Sequence, residues 1–223
     1  MTVARIAAPR QSLPRQRAKK PQVVPLQKRA IETRRQILLA AAALFRDKGY
    51  KATTLRDIAR AVGMGAGSFY YYFRSKEEVL HEVLDRGIET VDNMVRSAVN
   101  VLPPSATPLT QLRQAILGHL RALLDKSGYS TAYARIYNEL PRKLNRPDHP
   151  RRIAYIAHWR DLVVAAQKSG EIRSDIHVPT FVAFMLGTMS RAADWYDPDT
   201  ADIEQVAEWI ADWTFNGVRR RAG

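Results

Sequence analysis

Gly63-Met64-Gly65-Ala66-Gly67-Ser68-Phe69-Tyr70-Tyr71-Tyr72-Phe73 is the stretch on which the fold of this chain turns. Two glycines frame one residue, and glycine adopts the positive φ that a tight reversal between helices demands. Upstream, Leu55, Ile58, Ala59 and Val62 repeat at helical spacing, and Thr54 with Asp57 has the spacing of a reciprocal N-terminal cap. Downstream, Phe69 and Phe73 lie four apart, so a short helix over 65–73 turns both toward one core. Two short helices joined by such a turn predict a helix-turn-helix, whose second helix enters the major groove of a duplex while the first braces it. The small residues at 65–67 let the backbone approach DNA closely. The hydroxyls of Ser68, Tyr70, Tyr71 and Tyr72 are able to meet phosphates or base edges. An aromatic core stripe is the competing explanation. It accounts for Phe69 and Phe73, but three consecutive tyrosines cannot all face one core.

Outward from that stretch the pattern stays helical. A helix from Ile31 puts Ile31, Ile37, Leu38, Ala41, Leu44 and Phe45 on one face and stops at Gly49. Ser75 with Glu78 repeats the cap spacing and opens a long helix to about Asn100, before Pro103, Pro104 and Pro108. Further helices are predicted over 109–126, 129–140, 150–169 (ended by Gly170), 179–195 and 200–218. No segment alternates with period two for long enough to make a sheet, and no internal repeat is visible. The predicted class is all-α: an N-terminal three-helix helix-turn-helix domain over 29–80 and a C-terminal helical bundle over 81–223.

Composition bounds the partners. At 223 residues and 46% hydrophobic, the chain accommodates a small reading head and a helical domain with its own core. It has no cysteine, which rules out disulfides and thiolate metal sites. No apolar run approaches the roughly 18 residues of a membrane helix, and the basic N-terminus lacks the apolar centre of a secretory signal. The expectation is a cytoplasmic protein with no membrane partner. The net charge of +13 is concentrated toward the start: +8 over residues 1–30, +4 over 31–80 and +1 over 81–223. A polyanion is the natural partner for that first third. Residues 1–28 interleave Pro9, Pro14, Pro21 and Pro25 with the basic residues and read as a flexible basic arm. The arm either follows DNA and adds modest affinity or touches nothing.

The segments Thr33-Arg34-Arg35, Leu44-Phe45, Gly49-Tyr50, Thr53-Thr54-Leu55-Arg56-Asp57-Ile58-Ala59, Gly63, Gly67-Ser68-Phe69-Tyr70 and Phe73-Arg74-Ser75-Lys76-Glu77 together resemble the TetR family of transcriptional regulators. The likeness spans about 31–84 without a gap. It implies that Thr54 caps the second helix and meets a phosphate, with Arg56 as a further backbone contact. It places Gly65, Ala66, Gly67, Ser68, Tyr70 and Tyr72 on the recognition helix with Tyr71 beside them, and Lys76 on a phosphate at the start of the fourth helix. Many members carry serine where this chain has Gly65, so the recognition helix loses a side-chain cap, at a cost of a few tenths of a kcal/mol.

The resemblance further implies a homodimer on a palindromic operator, a repressor released by a small-molecule effector, and a C-terminal bundle that binds the ligand and dimerises. The dimer contact then falls on the last two helices, with Phe181, Phe184, Met185, Met189, Trp209 and Trp213 as candidates. His119, Tyr133, Tyr137, His158 and Trp159 mix apolar walls with sparse polar groups, as ligand pockets do; ordinary core packing is the alternative for each. Arg151 and Arg152 read as a solvated helix start, with contact to an anionic ligand as the alternative. The turn Trp195-Tyr196-Asp197-Pro198 is similar to a subgroup that includes regulators of fatty-acid and sterol breakdown, which points toward a lipid or acyl-CoA type effector. A ligand-blind architectural DNA-binding protein of the same fold is the rival. The five histidines are scattered, with no metal-helix spacing, nucleophile elbow or phosphate loop, so no catalytic residue, metal or cofactor is expected.

Overall fold

The computed structural model describes residues 26–124, 128–137, 140–145 and 149–216. Among them the secondary structure is helical: α1 (Leu26–Lys48), α2 (Leu55–Ala61), α3 (Ala66–Tyr70), α4 (Lys76–Asn100), α5 (Pro108–Leu124), α6 (Tyr129–Tyr137), α7 (Arg142–Asn145), α8 (Pro150–Lys168), α9 (Val178–Ser190), α10 (Ala192–Trp195) and α11 (Ile203–Asn216). The expected arm over 1–28 lies outside the described residues up to 25, and its last three residues are already in α1. The segment expected as one helix over 179–195 is broken at Arg191 into α9 and α10.

Helix ends follow from local chemistry. Gly49, Gly63 and Gly170 take φ of 81°, 67° and 77° just past α1, α2 and α8, where a side chain would be strained. Between α1 and α2 the fully buried Thr53 donates its hydroxyl to the Gly49 carbonyl (2.9 Å), which fixes the angle at which α2 leaves. The Thr54–Asp57 cap is reciprocal as expected. At α4 only half of the expected box forms. Ser75 accepts from the Glu78 backbone (3.0 Å), but the Glu78 carboxylate reaches the Arg74 N–H (2.8 Å) instead of Ser75.

Two cores share two helices. The head core holds Ile37, Leu38, Ala41 and Phe45 of α1, Ile58 and Ala59 of α2, Phe69 and Phe73, and Val79, Leu80, Val83 and Leu84 of α4. Ala132, Ile136 and Tyr137 of α6 pack into it as well. The body core takes up α4 again at Ile88, Val91 and Val95 and closes around α5, with Tyr155 and Trp159 of α8 and Phe215 of α11. The division expected at 80/81 therefore falls inside one continuous 25-residue helix that belongs to both halves. Ile31, expected on the core face, is 68% exposed. The inward register one turn before Ile37 and Leu38 is held by Arg34.

Glycine sets two helix crossings. A Cβ on Gly87 of α4 would lie 2.5 Å from the Tyr133 Cβ on α6, and one on Gly118 of α5 would lie 2.7 Å from the Met94 carbonyl of α4. Helix α11 is held on α5 by ion pairs from Arg113 to Glu208 (2.9 Å) and Asp212 and from Arg121 to Glu204. Each is exposed and contributes little alone. No helix among the described residues is long and apolar enough to cross a membrane.

Candidate nucleic-acid interface and effector cavity

The short α3 is anchored from beneath. Phe69 and Phe73 are buried with their ring centroids 6.1 Å apart, while Gly65, Ala66, Gly67, Ser68, Tyr70 and Tyr71 face outward. Gly65 sits at the N-cap with no side-chain hydrogen bond. Hypothetical Cβ atoms on Gly65 or Gly67 meet nothing within 4 Å, so the start of α3 is open backbone with free N–H groups. One placement differs from expectation. Helix α3 ends at Tyr70, so Tyr72 is not on it: Tyr72 is half-buried in the following turn, edge-on to Tyr71 at 5.2 Å. Packing against the head core, not helical continuation, sets its position.

Basic groups frame this surface. Thr54 Oγ1 donates to Asp57 Oδ2 (2.7 Å), which holds the Asp57 carboxyl below its usual range, and the residue itself is exposed at the start of α2. Arg56 and Arg60 are exposed along α2 and line a shallow concavity with Gly63, Met64 and Ala66. Lys76 lies with Nζ 4.1 Å from the Tyr50 ring centroid and donates to the Lys51 carbonyl (3.4 Å); partial burial there lowers its pKa. Tyr50 positions Lys76 through this contact, a role that no local sequence pattern signals.

Arg34 ties the parts together. Its guanidinium lies 4.0 Å over the Phe73 ring, donates to the Tyr72 carbonyl, and pairs with Glu82 of α4. One side chain of α1 thus bonds the end of the helix-turn-helix to the long connecting helix.

In the body, a cavity of about 310 Å³ lies between α4, α5, α6, α8 and α9. Of the five expected ligand residues it brings together His119, Tyr133 and Tyr137, and adds Arg152, Tyr155 and Arg160. His158 and Trp159 are not on its wall. Trp159 is fully buried, edge-on to His119 and Tyr155, and His158 is half-buried outside the cavity. Trp159 turns into the body core instead, and on α8 the cavity wall is formed by Arg152, Tyr155, Ile156 and Arg160.

His119 bonds through Nδ1 to the Tyr155 hydroxyl, and its Nε2 has no partner. Burial alone pushes its pKa down to about 3. Below about pH 6.5 the unfolded chain binds a proton that the folded chain refuses, so stability present at neutral pH is lost as the pH falls. Between pH 7 and pH 5 the wild type is expected to lose about 2 kcal/mol through this residue. His119→Phe should flatten that slope in denaturant unfolding at the two pH values. An unchanged slope would place the titrating group elsewhere.

On the surfaces expected to dimerise, Phe184, Trp209 and Trp213 are exposed, the last at 71%. Phe181, Met185 and Met189 are buried in the molecule's own core, a correction that follows from their four-residue spacing on the inward side of α9. Among the described residues no group of His, Asp and Glu could hold a metal ion.

Residues 37–83 match the family model for bacterial regulatory proteins of the tetR family, and residues 105–218 match that for the tetracyclin repressor-like C-terminal domain. The HTH-type transcriptional repressor KstR2 of Mycolicibacterium smegmatis is 27% identical over 197 residues, covering 85% of this chain and 92% of the relative. KstR2 of Mycobacterium tuberculosis is 30% identical over 173 residues, covering 74% and 82%. The solved structure of the ketosteroid transcriptional regulator KstR2 of M. tuberculosis superposes with a TM-score of 0.68 at 26% identity, covering 85% of this chain and 96% of that one.

Proposed function

The chain belongs to the tetR family of bacterial regulatory proteins, and from that premise we propose that it is a homodimeric repressor released from a palindromic operator when a small molecule occupies the 310 Å³ cavity. The presentation of α3 carries this reading: small residues, Ser68, Tyr70 and Tyr71 outward, phenylalanines inward, arginines and Lys76 around the rim. Thr54, Arg56 and Lys76 take the phosphates, and the open backbone at 65–67 with Ser68, Tyr70 and Tyr71 enters the major groove. The exposed Phe184, Trp209 and Trp213 of α9 and α11 meet their counterparts in a second copy, which spaces two recognition helices about one DNA turn apart. The cavity combines apolar walls with a few polar groups and suits an amphiphilic effector, a lipid or acyl-CoA type molecule among them.

The test is binding to duplex DNA from beside its own gene, titrated with salt. A steep fall in affinity with salt supports the proposal, and no binding at low salt refutes it. Gly67→Ala sharpens the test. The added methyl meets nothing within 4 Å in the protein, and alanine favours helix over glycine by about 1 kcal/mol. The variant should therefore fold at least as well, yet lose about tenfold in operator affinity because the backbone can no longer approach the bases. Unchanged affinity in a gel-shift titration would mean that α3 does not enter the groove at this residue.

A further inference from the structure

Arg152 lines the cavity with no carboxylate within ion-pair distance among the described residues, as does the more exposed Arg160. In the body, Arg96, Arg113, Arg121, Arg151, Arg173 and Arg191 each hold a carboxylate within 3.1 Å. Arg152 holds none among the described residues. It is half-buried, donates to the Tyr133 hydroxyl (2.8 Å) and lies 4.2 Å over the Tyr137 ring. A guanidinium taken partly out of water and left with a phenol and a ring face gains by accepting an anion.

Its position gives that gain a route out of the cavity. Arg152 lines the 310 Å³ cavity and also a small gap beside His81, Leu84, Asp85 and Ile88 of α4. Tyr133, its hydroxyl partner, stands directly on α4, where Gly87 leaves no room for even a methyl group. Five residues before Gly87, on the same helix, Glu82 holds Arg34 and through it the Tyr72 carbonyl at the end of the helix-turn-helix.

We propose that the effector is an amphiphilic organic acid whose anionic group pairs with Arg152, drawing it from Tyr133 and Tyr137 and so shifting α6 against α4. The proposal rests on the cavity being the effector site and adds the ligand's charge, the residue that reads it and the path to DNA. Arg160, two helical turns along α8 on the same wall, extends the positive edge for a larger anionic head.

The probes are straight-chain saturated acids of eight to sixteen carbons and the matching alcohols, each measured by calorimetry and for release of operator DNA. The full-length protein should bind the best acid at least tenfold more tightly than its alcohol. Arg152→Gln should bind acid and alcohol alike, and acid should release no more operator DNA from it than alcohol does. Tyr133→Phe should bind the acid as well as wild type or better, yet release DNA several-fold less at saturation, a result that loss of packing alone does not give. Equal binding of acid and alcohol by wild type, binding of neither, or an acid preference surviving in Arg152→Gln would each overturn the proposal. Loss of operator binding by untreated wild type would instead strike the repressor reading.

Discussion

Replacing Arg34 with methionine is expected to cost about 2 kcal/mol of stability and at least a tenfold loss of operator affinity, although the residue touches no DNA in the proposed complex. Methionine keeps the stem and much of its packing, so the loss isolates the guanidinium. Four interactions go at once: the ion pair with Glu82, a longer one to Glu78 (3.7 Å), the hydrogen bond to the Tyr72 carbonyl and the contact over the Phe73 ring. Arg34 and Glu82 are 35% and 24% exposed, so the energy falls between a surface pair, worth under about 1 kcal/mol, and a buried one, whose breaking costs about 3 to 5. Affinity suffers because the Tyr72 carbonyl closes the turn that aims α3 relative to α4. Arg34→Lys separates the parts. A single ammonium can pair with Glu82 but cannot bridge two helices and stack on Phe73, so stability should recover more than affinity. Denaturant unfolding and operator titration on both variants decide it. Affinity unchanged in the methionine variant would mean that α3 is oriented by the Phe69–Phe73 core alone.

The helices were legible because their apolar period is regular and their ends carry strong punctuation. Gly63, the Thr54–Asp57 cap and the proline cluster after Asn100 each have a local cause and a local effect. The face of α3 was legible for the same reason: Phe69 and Phe73 four apart leave Tyr70 and Tyr71 outward, whereas the half-buried Tyr72 packs against the head core. What sequence hid is long-range. Arg34 stands in the inward register of α1, one turn ahead of Ile37, and a charge in an apolar register is the signal for a partner across the core; which partner, 48 residues on, no local pattern names. Arg152 was visible only as one of two adjacent arginines. Structure divides them: Arg151 turns out to Glu89 at 3.1 Å, and Arg152 turns into the cavity. The inward and outward sides of α9 were confused because the helix is apolar nearly all round, so periodicity carried little information there.

Gly87→Ala and Gly118→Ala are expected to cost similar stability, about 2 kcal/mol each, and to differ sharply in operator affinity. Both add a methyl where none fits: 2.5 Å from the Tyr133 Cβ in the first case, 2.7 Å from the Met94 carbonyl in the second. Neither neighbour is the far end of a flexible side chain, so the helices must part, and the better helix propensity of alanine offsets only about 1 kcal/mol of the strain. The crossings differ in where they grip α4. Gly87 lies about 7.5 Å along the helix from Glu82, within reach of the Arg34 clamp, whereas the Met94–Ala98 stretch under Gly118 lies roughly 20 Å from it, inside the body. Forcing α6 from α4 at Gly87 imitates the displacement assigned to the effector. Gly87→Ala should thus bind operator at least tenfold more weakly without any ligand and respond less to acid probes, while Gly118→Ala should be destabilised but bind nearly as wild type. Melting curves establish that both variants are folded at the assay temperature, and operator titrations then compare them. Equal affinities would show that α4 does not carry the signal along its N-terminal half, and the path from cavity to recognition helix would have to run through α6 and its packing on α1.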